Sequence, residues 1–205
     1  MNIKNFVFLA VISLVMTGCI SPKSYVDPSF SKATYDDVKP VNNKYITEIV
    51  VEFQRNGKLY ERVNPEVRSH VERTLRATGI ITPAAENTDI SVKVTVNNVA
   101  DITEAAAKGF GTGLTFGAAG SLVTDYYEIT IEYDDGKGGQ LIENYKHALH
   151  TTIGNADAPF DNTLPTTPAD AFGTVVEQTL LNFVKDMQAK GLLSIKLMQE
   201  FVHSV

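Results

Sequence analysis

The stretch from Tyr126 to Ile153 limits the fold of this chain more than any other. Tyr127, Ile129, Ile131 and Tyr133 alternate with Tyr126, Glu128, Thr130 and Glu132, which is the period of a strand with one apolar face. Asp134-Asp135-Gly136-Lys137-Gly138-Gly139 is turn chemistry, and Leu141 to Ile153 is the strand coming back. Upstream, Ile90, Val92, Val94 and Val96 alternate with Ser91, Lys93, Thr95 and Asn97 in a third half-buried strand. A one-sided sheet of this kind must cover its apolar face with a second layer.

Helical periods supply that layer. Thr167-Pro168-Ala169-Asp170 is a helix start, and Phe172, Val175, Val176, Thr179, Leu180, Phe183, Val184 and Met187 follow at helical spacing up to Lys190-Gly191. Asn64-Pro65-Glu66 reads as a second start, with Asn64 as N-cap and Pro65 at the first helical position. Val67, Val71 and Leu75 make its narrow apolar stripe, and Gly79 supplies the stop. The other face of that helix carries Arg68, Glu72, Arg73 and Arg76, a solvated face or a surface for an acidic partner. Before it, Tyr45 to Phe53 alternates as a strand, and Asn56-Gly57 marks a tight hairpin with Leu59 to Val63 as its return. That pairing would set Phe53 beside Tyr60 and Glu52 beside Glu61. Leu192 to Val202 suits a last short helix.

The expected fold is therefore α+β: an antiparallel sheet of about four strands with two main helices on one face. Its order resembles small periplasmic lipoproteins with a β-α-β-β-β-α core, including the lipopolysaccharide-assembly and curli-secretion lipoprotein families. The likeness covers roughly residues 45–190, is topological, and transfers no functional residue.

The N-terminus carries a targeting signal. Met1 to Asn5 is short and positive, Phe6 to Met16 is apolar, and Thr17-Gly18-Cys19 follows, the layout of a secretory signal. The apolar run is too short to span a hydrocarbon core, which takes about 20 helical residues. Leu14-Val15-Met16-Thr17-Gly18-Cys19 resembles a bacterial lipobox, with Gly18 at −1, Cys19 at +1 and Met16 in place of the commoner Leu at −3. The resemblance implies cleavage between Gly18 and Cys19, a diacylglycerol on the sulfur and an N-acyl chain on the new terminus. These covalent lipids are the only prosthetic chemistry expected, with no other cofactor and no metal. If the cell is Gram-negative, Ile20 at +2 lacks the aspartate of inner-membrane retention, so the expected site is the outer membrane, with the domain facing the periplasm.

Cys19 is the only cysteine, so no intrachain disulfide supports the fold. Removing residues 1–18 takes away Lys4 and no acid, moving the formal net charge from −6 to about −7. An acidic domain without basic clusters is a poor binder of nucleic acid or anionic lipid. Lipid, rather than charge, must hold it to a membrane. The expected organisation is a signal peptide over 1–18, a lipidated N-terminus and tether over 19–44, and one domain over 45–205. Pro22, Pro28, Pro40 and several serines give the tether no apolar period. About 24 residues would reach on the order of 80 Å extended and about 25–30 Å as a relaxed coil. Docking of Tyr25-Val26 or Phe30 on the domain is the alternative.

One further stretch stands out: Gly109 to Thr124 carries no charge and is rich in glycine. It is neither a dinucleotide fingerprint nor a P-loop, because Phe116 falls where the third glycine belongs and no Gly-Lys-Ser/Thr follows. Three readings stay open. It is a connector whose glycines allow close backbone approach, a contact surface for a partner or second copy through Phe110, Leu114 and Phe116, or a bilayer-inserting segment of a multi-chain barrel. Gly113 and Gly117 match a small-residue packing motif. Catalytic residues are not found. His147 and His150 sit on a strand at odd spacing, which sends them to opposite faces, and no recognised nucleophile or zinc motif is present. The expected function is a lipid-anchored, non-enzymatic binding or assembly module. A pore or secretion subunit using residues 109–120 is the second reading, and an enzyme the third.

Overall fold

The structure, a computed structural model, describes residues 21–30, 33–100 and 120–194. The strands are β1 (Lys23–Val26), β2 (Tyr45–Arg55), β3 (Lys58–Leu59), β4 (Ile81–Pro83), β5 (Ile90–Ala100), β6 (Ser121–Asp134) and β7 (Gln140–Ile153). The helices are α1 (Asn64–Ala77) and α2 (Pro168–Ala189), with 3-10 turns at Tyr35–Asp37 and Glu61–Val63. The class is α+β, as expected, but the sheet has seven strands rather than about four. Its order is β1-β7-β6-β5-β2-β3, with β4 also paired to β2.

The sheet is also mixed. β6 pairs antiparallel with β5 and β7, whereas β2 pairs parallel with both β5 and β4. The physical reason is the helix between β2 and β5. A strand that returns through a crossover helix re-enters at the same end and must run parallel.

The alternating residues point where their period requires. Val92, Val94, Val96 and Ile131 have no exposed surface and Ile129 has 2%. Val67, Val71 and Leu75 of α1 and Val175, Leu180, Phe183 and Val184 of α2 are buried in the same cluster. Both helices therefore cover one face. They approach closely because Gly173 has no side chain: a Cβ there would lie 2.6 Å from the His70 ring. Across the open face, Lys93 on β5 joins Glu52 on β2 (3.1 Å) and Glu132 on β6 (3.3 Å).

The β2–β3 hairpin forms, with Asn56 and Gly57 both at positive φ (50° and 73°), the backbone a type I′ turn needs. Tyr60 donates its backbone N–H to the Phe53 carbonyl at 2.8 Å. The ladder ends at Leu59, so Glu61 enters a 3-10 turn instead of facing Glu52.

Asn64 is not the expected cap. It is already helical (φ −52°, ψ −40°), and its Oδ1 accepts the backbone N–H of Phe53 at 2.7 Å. The residue ties α1 to β2 instead of closing its own helix. Asn64→Ala is expected to cost roughly 1–3 kcal/mol by orphaning that part-buried amide, read as a lower denaturant midpoint. The cap at Thr167 is as expected, with its side chain accepting the Asp170 backbone N–H. The last expected helix, over 192–202, lies outside the described residues beyond Ser194, while Leu193 is fully buried.

The expected tether over 19–44 is corrected from Lys23 onward. β1 adds to the edge of β7, Tyr25 is 4% exposed, and Ala33, Val38 and Val41 belong to the main core. Edge pairing needs backbone groups more than apolar period, so four residues between prolines suffice.

Candidate functional site

Cys19, Gly18, Phe110, Gly113, Leu114, Phe116 and Gly117 lie outside the described residues. What is described is the end of the sheet from which both of those segments lead. Lys23 pairs with Thr152, and Thr152 with Leu122, in one row across β1, β7 and β6. Ala100 pairs with Asp125 at the same end. β5 therefore ends, and β6 begins, at the same end of the sheet as the start of β1, with β7 between β6 and β1.

β1 is held by more than its ladder. Ser24 shares a 2.8 Å hydroxyl contact with Thr151 and exchanges two 2.9 Å backbone bonds with Thr166. The Asp27 backbone N–H bonds the Ala148 carbonyl at 3.1 Å. Beyond the strand, Asp27 Oδ2 lies 3.1 Å from His150 Nε2, and Thr124 Oγ1 lies 3.0 Å from His150 Nδ1. Phe160 stands edge-on to the imidazole at 5.0 Å. Burial pushes the Asp27 carboxyl up, but the Ser29 hydroxyl and amide and His150 together outweigh it and hold the group below its ordinary 3.8.

The sign follows from that direction. A depressed native carboxyl contributes stability above its unfolded value and loses it as pH falls through its folded one. β1 is therefore expected to loosen under acid, below about pH 4. Asp27→Ala should produce the same loosening at neutral pH. Hydrogen exchange checks this: the amides of Tyr25 and Asp27, which face β7 in the ladder, lose protection while those of β5 and β6 keep theirs.

Hydroxyl, imidazole and carboxylate in this order also form the relay of an activated nucleophile. Thr124 and His150 are direct register partners on β6 and β7, and the Phe160 ring packs against the imidazole. The arrangement fastens β1 to the sheet.

His147 faces the other way, as the odd spacing predicts. It is 2% exposed under α2, stacks on Phe30 at 5.1 Å, and its Nε2 lies 2.9 Å from Gln178 Oε1. The Ala148 amide donates to its Nδ1 at 2.9 Å, so Nε2 carries the proton toward Gln178. The two histidines cannot share a metal. Sequence reasoning missed the partners of both rings. Asp27 and His150 are 123 residues apart, and Asp27 lies in a stretch with no periodic signal.

The fold thus defines a two-layer α+β domain with a mixed seven-stranded sheet and both helices on one face. No protein-family model matches the chain, and no curated protein matches it. Solved structures similar in outline include the PelC dodecamer from Paraburkholderia phytofirmans, at 11% identity and TM-score 0.34, covering 80% of this chain and 97% of that one. A DUF330 protein from Xanthomonas campestris shares 10% identity at TM-score 0.39, covering 84% and 92%. A minor lipoprotein from Acinetobacter baumannii shares 9% at TM-score 0.35, covering 70% and 93%. Likeness at this level brings no residue and no role to this chain. Among the described residues no helix is long and apolar enough to cross a membrane.

Proposed function

We propose that this chain is a lipid-anchored cell-envelope protein, acylated at Cys19, whose domain binds or scaffolds a partner without catalysing a reaction. The observation that carries the reading is the Leu14–Cys19 lipobox-like stretch ending just ahead of a strand docked on the domain. Extracted from its membrane, the chain is expected to have the mass of residues 19–205 plus acyl chains. A mass starting at Met1, or at Ile20 without lipid, would overturn this. In a Gram-negative cell the proposed site is the outer membrane, with the domain facing the periplasm.

A second reading is an oligomeric pore or secretion subunit built with residues 109–120. It is favoured by the position of Ala100 and Gly120 at the anchor end of the sheet. Detergent-solubilised size separates the two: a stable ring supports the pore, and a monomer removes it. Gly113 and Gly117 replaced by bulky residues would then lose the ring while keeping the monomer fold.

A further inference from the structure

We infer that the domain stands end-on at the bilayer, with the end of the sheet bearing Lys23, Leu122 and Ile153 turned to the lipid surface. This rests on the acylation of Cys19 proposed above and adds an orientation to it.

With β1 docked, only Ile20, Ser21 and Pro22 separate Cys19 from the sheet. Four residue steps reach about 14 Å at most. The domain therefore cannot swing on a 24-residue coil. The row Lys23, Thr152 and Leu122 is held to the depth of the headgroups. The other end of the sheet, at the turn after Asp134, lies about 40 Å away, twelve residues along β6 at strand rise.

Charge runs the same way. Residues 120–124 and 151–156 carry no ionisable group besides the Oγ-bearing serine and threonines, which stay neutral, and Leu122, Val123 and Ile153 are half-buried there. Lys23, Arg55 and Lys58 are exposed toward this end. Asp134 and Asp135 stand at the far one beside Lys137, while Glu132 and Glu143 there are paired with Lys93 and Lys190. The far end thus keeps a small acidic excess, which an anionic headgroup layer disfavours slightly relative to the near one. Asp125 on β6 and Asp157 and Asp161 on the loop after β7 offset those basic groups at the near end, so the acyl chains supply the affinity and β1 supplies the orientation.

The chain has no tryptophan, so a single introduced one reports its own depth. The acylated full chain is placed in phosphatidylcholine vesicles containing a bromine-labelled lipid, as L122W or as K137W. Emission from L122W is expected to be quenched and that from K137W untouched. K23W, at an exposed position, is the second near probe should L122W fold poorly. A flexible 20-residue insert between Ser21 and Pro22 should abolish the quenching while the protein still floats with the vesicles. Equal quenching of near and far probes, or no quenching of floating protein, overturns the orientation. Quenching that survives the insert overturns the role of β1. Protein that carries no acyl mass and does not float overturns the anchor, and the orientation with it.

Discussion

Changing Cys19 to serine is expected to leave the chain at its precursor mass and to remove the lipid that holds the mature protein to its membrane. The acyl transfer needs a sulfur nucleophile. A serine hydroxyl at the same position does not ionise near neutrality as a thiol can. Each buried CH₂ contributes about 0.8 kcal/mol, so one chain gives marginal binding and two or three give near-permanent attachment. The chain carries a formal charge of −6, and electrostatic docking would need a basic patch. Intact mass and membrane fractionation read the effect together. A variant with the mass and the fractionation of the unaltered mature protein would refute the lipid assignment.

The largest effect on stability is expected from Phe183→Ala. Phe183 is fully buried on α2, within the cluster that joins both helices to the sheet. Removing a buried phenylalanine ring costs about 3–5 kcal/mol, the lost transfer energy plus the cavity left behind. A domain of this size is stable by only about 5–15 kcal/mol, and the single cysteine leaves it no disulfide to fall back on. The melting temperature should fall by at least about 6 °C. A shift of a degree or two would mean that the site collapses around the missing ring and that α2 is not the pillar of the core. Phe172, three turns earlier on the same helix and edge-on to both Phe53 and His70, should cost less because it retains some exposure.

Much of the fold was legible because burial writes a local period. The alternations at 90–96 and 127–133 and the helical row from Phe172 to Met187 each state their face within about ten residues. The turn at 134–139 states the pairing of its neighbours. The parallel step between β2 and β5 was legible too, since a strand-helix-strand order implies it, yet the expected sheet was wholly antiparallel. Asn64 misled for a specific reason. An asparagine before a proline is good N-cap chemistry, but the same side chain serves a strand amide equally well, and only the proximity of Phe53 decided between them.

The candidate site divides along the same line. Cys19 is legible because a targeting signal is read from the chain by residue order alone. Asp27, Thr124 and His150 are not, because their contacts depend on three strands meeting. The sequence by itself determined the apolar faces, the helix–sheet layering and the place of the lipid signal, since each depends on spacing within one segment. Tertiary structure decided that Lys23–Val26 is a strand and not a tether. Any backbone can supply the hydrogen bonds of an edge strand. Whether these four residues do so depends on the open edge that β7 leaves for them, with partners 123 to 129 residues further along the chain.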